Sequence, residues 1–402
     1  MTKALIIGSG VAGLVAAMAL RKVGIESVVY EARSHSADDV GAFVTVFANG
    51  MDALRAVEAD MPVLDCSFPA ERSEAFDSSG RPLGQRSMGG LYGVGPRTLT
   101  HHHLRQALRN EATRRGLRID YGKRLTTATH TSSGQVVAGF DDGSHAEGDL
   151  LIGADGVHST VRRIVDPAAA APLSTGPALV CGYARTPTHS AKPETYRMFY
   201  GSRAFFAYTT APNGETWWFT TVPTSPVDIS DRTVTSAQWK QRAIDVLAGD
   251  HTPAADIIGS TDEIVAVPAY HLPALPVWHT GHMILVGDAA HAAEPNAAHG
   301  ASMAMEDGVV LAQCLRDLPT VQDAFTAYDR LRRPRVTRLM STSARMSKTA
   351  VPAGPFRRAL RDAVLLKRLK GRARNTADWL TNHHIDWNTP IPTNIDGDTT
   401  PR

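Results

Sequence analysis

The chain has 402 residues, with 42 basic against 40 acidic side chains and a formal charge of +2 at pH 7. Hydrophobic residues make up 43% and charged residues 20%, a globular composition that excludes a disordered chain and lacks the basic excess of a nucleic-acid binder. Cys66, Cys181 and Cys314 lie far apart and form neither a CxxC motif nor a disulfide framework, which fits a reducing cytoplasm.

At about 100–200 residues per domain, the length predicts two or three domains. The first element has two outlines. Lys3 followed by an uncharged run over 4–20 resembles a secretory signal, but Gly8, Gly10 and Gly13 interrupt it and Ser9 breaks it. It is also slightly short for a membrane span, and none is expected. Residues 4–7 instead read as a buried parallel strand, and Gly8-Ser9-Gly10-Val11-Ala12-Gly13 turns the chain into a helix ending near Val23. Gly24 stops that helix, and residues 27–30 form a second buried strand ending at Glu31. This is a βαβ unit carrying GxGxxG. Gly8 allows the tight turn, Gly10 lets the backbone approach a pyrophosphate, and Gly13 permits close helix packing. The helix N-terminus offers unpaired N–H groups to phosphate, and Glu31, 18 residues after Gly13, suits a ribose diol. A βαβ unit that binds no nucleotide is the plain alternative for this segment alone.

Residues 65–95 are rich in Ser, Gly and Pro and predict strands and loops. Residues 100–116 predict a helix with Thr100 as N-cap and Leu104, Leu108 and Ala112 on one face. Short strands follow at 117–121, 125–131, 135–140 and 150–153, with a turn at Asp141-Asp142-Gly143. The stretch 179–267 alternates and carries many aromatics, as a mostly antiparallel sheet would. Within it, Asn213-Gly214 marks a hairpin leading into Trp217-Trp218-Phe219. One face of that hairpin either roofs a flat apolar substrate or fills a core between sheet and domain. Residues 283–286 predict another buried strand and 301–315 a helix. Beyond Phe325 the chain reads as helical and Arg-rich, ending in a loose tail.

Two later motifs bear on a cofactor. The run 149–162 (DLLIGADGVHSTVR) leads a strand into the carboxylate of Asp155, a glycine turn at Gly156, and then Arg162. Gly287-Asp288-Ala289-Ala290-His291 continues to Pro295, Gly300, Ala301, Glu306 and Asp307. Asp288 at a strand end can accept hydrogen bonds from a ribose or polyol. The small residues before the 301 helix let backbone N–H groups approach a flat ring. A helix N-terminus there stabilises negative charge at the N1/C2=O edge of a reduced flavin.

In this order and spacing the three motifs resemble the single-component FAD-dependent monooxygenases of the p-hydroxybenzoate hydroxylase type, over residues 3–338. The resemblance implies an α/β fold: a Rossmann-like FAD-binding domain interleaved with a mostly antiparallel substrate-binding sheet, plus C-terminal helices. It divides the chain into an FAD-binding domain (1–70, 96–175 and 277–345), a substrate-binding domain (71–95 and 176–276) and a C-terminal helical region and tail (346–402). It implies that Gly8, Gly10, Val11, Ala12, Gly13, Glu31, Ala32 and Arg33 hold the ADP half of FAD, with further FAD contacts from Val44, His101, Arg105 and Leu125. Asp155 then braces the pyrophosphate region and Asp288 binds the ribityl or pyrophosphate. Pro295, Gly300, Ala301 and Ser302 lie beside the isoalloxazine. Residues 41–50 resemble the segment that passes the flavin, with Ala48 where proline is common.

Departures from the pattern are informative. His101, with Arg105 one turn later, stands where the family usually carries Arg or Gln. The usual Gly-Gln-Gly reads Ala298-His299-Gly300, which leaves His299 as a proton relay, a substrate contact or a packing residue. The resemblance places Thr209, Ala211 and Trp218 at substrate, with Thr45, Phe47 and Asn296 as further lining. Ala211 occupies the position of an arginine that clamps benzoate carboxylates, so a larger or neutral ring is expected. No catalytic base is assigned.

His101-His102-His103 cannot share one metal ion, because consecutive helical residues point about 100° apart, and no metal is expected. His291 is expected to bond to backbone. Arg330, Arg332, Arg333 and Arg335 read as a solvated or salt-bridged face, and Cys314 as core.

A single dinucleotide signature leaves NAD(P)H without a Rossmann site of its own, which disfavours disulfide reductases and two-site Baeyer–Villiger enzymes. Trp218-Phe219-Thr220-Thr221-Val222-Pro223 lacks the second Trp of the halogenase WxWxIP motif. The expected activity is therefore a hydroxylase in which NADPH or NADH reduces FAD, O2 adds to give a flavin C4a-hydroperoxide, and oxygen passes to a small aromatic or polycyclic substrate. Epoxidation or Baeyer–Villiger insertion on the same scaffold, a flavin dehydrogenase or reductase, and a flavin-fold escort protein are the alternatives. The expected setting is cytoplasmic, as a monomer or homodimer.

Overall fold

The computed structural model describes residues 2–34, 42–185, 189–224, 234–294, 298–350, 354–370 and 378–392. Ala4, Leu5 and Ile6 are fully buried because Lys3–Ile7 lies inside a six-stranded sheet. A strand covered on both faces has no use for alternating polarity, which explains the unbroken apolar run. Glu26–Glu31 and Leu150–Gly153 flank it in parallel, with Ile7 in register with both Tyr30 and Gly153. Arg118–Tyr121 and Met283–Leu285 extend the parallel run, and His279–Thr280 is an antiparallel edge. Parallel neighbours need a crossover, which the helix Val11–Lys22 supplies before packing on the helix Gly300–Asp317. Since Lys3–Ile7, Leu150–Gly153 and Met283–Leu285 are adjacent and parallel, all three motifs leave the same end of the sheet side by side.

A seven-stranded sheet runs in the order Thr261–His271, Leu173–Ala184, Thr216–Val222, Phe205–Thr210, Thr195–Tyr200, Arg72–Asp77, Pro82–Ser87. It is antiparallel except where Thr195–Tyr200 meets Arg72–Asp77. One face packs on the helices Ser236–Leu247 and Ala254–Gly259 through Phe199, Phe206, Tyr208, Trp218 and Trp239. Its other face meets a small sheet of Phe43–Val46, Arg97–Thr100 and Phe68–Pro69. This is the α/β arrangement that the resemblance implies.

Local chemistry sets the boundaries. Thr100 caps His101–Arg114, its hydroxyl accepting from the His103 amide at 3.0 Å. Gly143 and Gly214 take left-handed φ of +82° and +88° in the two expected turns. The Arg-rich end forms the helices Val321–Ala350 and Pro355–Lys370. Residues 378–392 are strapped down, and 393–402, nearly all of the expected dozen-residue tail, lie outside the described residues. Arg335 donates to the carbonyls of Trp379 and Leu380, Gln313 to that of Asp386 and Arg316 to that of Trp387. Among the described residues no helix is long and apolar enough to cross a membrane, and no cluster of His, Cys, Asp or Glu is arranged to hold a metal.

Candidate active site

The first glycine turn is closed by contact between backbones. A Cβ on Gly8, whose φ is +107°, would lie 2.4 Å from the Ala154 carbonyl oxygen, and one on Gly13 would lie 2.0 Å from that of Gly8. Gly10 differs: a Cβ there would meet no protein atom within 4 Å. Its missing side chain leaves open space at the N-terminus of Val11–Lys22, where a pyrophosphate must come close. Glu31 is tied to the same turn. Its carboxylate accepts from the Ser9 amide (2.9 Å), the Ser9 hydroxyl (2.7 Å) and the Arg33 amide (2.9 Å). Burial pushes Glu31 up, but these hydrogen bonds outweigh it and hold the carboxyl below its ordinary range, ionised for a ribose diol.

Asp155 braces its turn from within. It accepts from the Ser159 hydroxyl at 2.5 Å and from the amides of Thr160 and Val161, capping the helix Thr160–Val165. Arg162 then reaches across to donate to the Ala289 carbonyl at 3.2 Å, so the second motif holds the third. Gly287 closes the set, since a Cβ on it would lie 2.8 Å from that of Ala12. Asp288 is accessible, yet the protein around it strips away bulk water. That desolvation raises its carboxyl, with His291 drawing it back and Asp307 pushing it further up. An exposed carboxylate beside Gly300, at the end of Met283–Leu285, can accept hydrogen bonds from a hydroxyl-rich ligand.

Beneath these turns lies a buried network of charged side chains. His291 bonds to a side chain, not to backbone: its Nε2 donates to Asp307 at 2.5 Å. The arginines are salt-bridged, the second of the two expected outcomes, but Arg332 is so inside the protein: its guanidinium lies on Asp307 (2.8 Å) and Glu306 (2.5 Å), and Arg335 also grips Glu306. Two acids within the apolar run SMAMEDGVVLA are the signal that could have revealed these partners, since buried charge must be paired. Burial pushes Glu306 up, but Arg332 and Arg335 outweigh it and hold it at about 2. The cluster fixes the flavin-facing segment, because Asn49 donates to Glu306 at 2.6 Å and the Phe47 amide donates to Ser302 at 3.0 Å.

Phe47 stacks on His299 at 3.8 Å with 11° between the rings, so His299 is a buried packing partner at the head of Gly300–Asp317. Ala298 adopts φ +54°, the left-handed conformation for which the family's glycine is suited. Thr45 is closed in by Tyr196 (3.1 Å) and Thr98 (3.3 Å), which are 3.0 Å apart and complete a triangle of hydroxyls. Around it Phe43, Phe47, Met88, Met198 and Phe219 form an apolar wall. Ala211 packs with Phe68 and Trp217, and Thr209 is buried with its hydroxyl on the Thr195 carbonyl. Trp218 belongs elsewhere: it lies on the far face of the sheet, donating to the Thr261 hydroxyl at 2.8 Å. Strand alternation gives the near face to Trp217 and Phe219 instead.

Other expected contacts sit as follows. Val11, Ala12 and Leu125 are buried, Ala32, Val44, Ala301 and Arg105 are half-buried, and Arg33, His101 and Gly300 are exposed. Pro295 and Asn296 lie outside the described residues. A cavity of about 580 Å³ around Arg197, Asp250 and Asp256 lies on the helix-bearing side of the seven-stranded sheet and includes none of the motif residues. It is an open groove whose His189 already pairs with Asp256, so the site belongs at the motif junction.

A family model described as an FAD binding domain matches residues 1–343. The chain belongs to the FAD-dependent aromatic monooxygenases. It is 29% identical over 359 residues to 6-hydroxynicotinate 3-monooxygenase of Pseudomonas fluorescens, covering 84% of this chain and 89% of that one. Over 378 residues it is 28% identical to 2-heptyl-3-hydroxy-4(1H)-quinolone synthase of Mycobacteroides abscessus, covering 92% and 95%. The structure of Klebsiella pneumoniae HpxO complexed with FAD and uric acid shares its fold, with a TM-score of 0.82 at 24% identity over 91% of this chain and 93% of that one. This monooxygenase therefore uses FAD, and the open space at Gly10, the ionised Glu31 and the exposed carboxylate of Asp288 fit that group.

Proposed function

We propose that this monooxygenase hydroxylates a neutral heteroaromatic or fused-ring substrate with NADH or NADPH and O2. The observation that carries the proposal is Ala211, the position of the carboxylate clamp in benzoate hydroxylases, which here is packed against Phe68 and Trp217. Phe43, Phe47, Met198 and Phe219 supply an apolar wall for a flat ring, and a dry wall also protects reactive oxygen chemistry from water. By their names the three relatives oxygenate 6-hydroxynicotinate, make a quinolone and hold uric acid, all nitrogen heteroaromatics, which supports the heteroaromatic ring, while its neutrality rests on Ala211.

FAD, when bound, supplies O2 reduction and delivers one oxygen atom. Gly8, Gly10, Gly13 and Glu31 hold its ADP half, Asp155 and Arg162 fix the turns, and Asp288 receives its hydroxyl-rich chain. The N-terminus of Gly300–Asp317 stabilises negative charge on the ring system. Tyr196, Thr45 and Thr98 hold a hydrogen-bonded set of hydroxyls that orients a ring carbonyl or N–H at the apolar wall. We assign the site to the division given above, 1–70, 96–175 and 277–345 for FAD and 71–95 and 176–276 for substrate, acting in the cytoplasm as a monomer or homodimer.

The test is a panel of neutral, anionic, one-ring and fused-ring aromatics, read by stimulated NADH and NADPH oxidation and by product mass. Stimulation by neutral heteroaromatics with a gain of one oxygen atom is expected. Turnover confined to simple benzoates, or peroxide without an oxygenated product, would overturn the reading.

A further inference from the structure

The helix Pro355–Lys370 carries apolar residues on two sides. Its inward side docks through half-buried Leu365, Leu366 and Leu369 and through two arginines: Arg358 donates to the Ser202 carbonyl, and Arg361 donates to those of Tyr200 and Gly201 while pairing with Asp362. Leu369 seals the end, so close to Gly84 that a Cβ there would lie 2.6 Å from its own. The outward side is apolar. Phe356, Leu360 and Val364, at i, i+4 and i+8, are 82%, 59% and 41% exposed. Water should not be the final neighbour of such a stripe.

Charge identifies what covers it. On a helical wheel Arg357 and Arg368 flank the stripe and Lys367 continues it, and all three are exposed. Asp362 is the sole acid of 355–370 and is already paired, and Arg372 and Arg374 follow in the sequence. A second copy fits poorly. Antiparallel packing of two such helices sets Arg357 opposite Lys367 and Arg368, and parallel packing sets each cation against itself. An anionic surface satisfies both the stripe and its rim. From this juxtaposition we propose that Pro355–Lys370 lies flat on an anionic lipid bilayer, with Phe356, Leu360 and Val364 entering the acyl boundary and Arg357, Lys367 and Arg368 meeting the headgroups. The enzyme is then peripheral, bound without a span. Because Arg361 is anchored on the Tyr200 end of the strand that carries Tyr196 and Met198, the bound surface connects directly to the apolar wall.

The experiment is flotation of the full-length, FAD-loaded protein with phosphatidylcholine vesicles, with and without phosphatidylglycerol. Binding is expected to the anionic vesicles and to weaken at least tenfold between low and 1 M salt. Phe356→Glu with Leu360→Glu should abolish binding, and Arg357→Gln with Lys367→Gln and Arg368→Gln should weaken it at least tenfold, with flavin content and Tm unchanged in both. No binding to anionic vesicles, or equal binding to neutral ones, overturns the proposal. A dimer that Leu360→Glu dissociates, without lipid binding, assigns the face to a second copy and overturns it as well.

Discussion

The motif junction and the aromatic sheet tolerate change on different terms. At the junction, glycines meet atoms that cannot rotate away: Gly8 the backbone of Ala154, Gly13 that of Gly8, and Gly287 the Cβ of Ala12. No rotamer change can relieve a side chain added there. In the sheet, backbone spacing is generic and the face a side chain occupies decides its role, so Trp217 and Trp218 do different work although they are neighbours. One region is written in residue types and the other in parity.

The contrast is sharpest at the glycines. Gly13→Val should prevent folding, whereas Gly10→Val should leave Tm within a few degrees and still lose bound flavin, as measured by flavin absorbance per protein. If Gly10→Val retains flavin, the open space at that position has no cofactor role. Next in size is Arg332→Met, which removes the guanidinium shared by Glu306 and Asp307, leaves them only Arg335 and His291, and should cost about 3–5 kcal/mol in denaturant unfolding. Glu306 also ties stability to pH. Its folded value of about 2 lies below the ordinary 4.5, so its contribution is present above pH 4.5 and is lost as the pH falls towards 2. Acid unfolding of Arg332→Met should show a shallower dependence across that window.

Asp288→Ala should weaken FAD at least tenfold, about 1.4 kcal/mol, with flavin restored by excess FAD, as titration by fluorescence would show. The smallest effects test parity in the sheet. Trp218→Phe removes the hydrogen bond to Thr261 and should cost about 1 kcal/mol of stability while leaving kcat/KM unchanged. Tyr196→Phe should do the reverse, raising KM with little change in Tm. A kinetic defect in Trp218→Phe with none in Tyr196→Phe would exchange the two faces.

The same division explains what the sequence made legible. Gly8, Gly13, Asp155 and Gly287 are constrained by local geometry, so their spacing announced the turns they build. The resemblance points to Trp218 as a substrate contact, but its segment is aromatic on both parities, and only the pairing of Trp218 with Gly182 and Tyr208 fixes which side it faces. Arg332 looked like one of several surface cations because its partners lie 25 and 26 residues away on another helix. Long-range pairing of buried charge leaves little local trace beyond the unexplained acids at 306 and 307.

The strap over residues 378–392 bears on the order of assembly. Lys3–Ile7 can pair early with Glu26–Glu31, but its other flank must wait for Leu150–Gly153 and, one strand further, Met283–Leu285. Asp52 must wait still longer, for His384 and Ile385. During synthesis one edge of the opening strand therefore stays open until Leu150–Gly153 is made, and Asp52 gains its ties to His384 and Ile385 later still. Contacts this distant slow folding and prolong exposure of sticky edges. Recovery of soluble enzyme should accordingly depend on chaperone supply and on an intact C-terminal end more than on the stability of the finished fold.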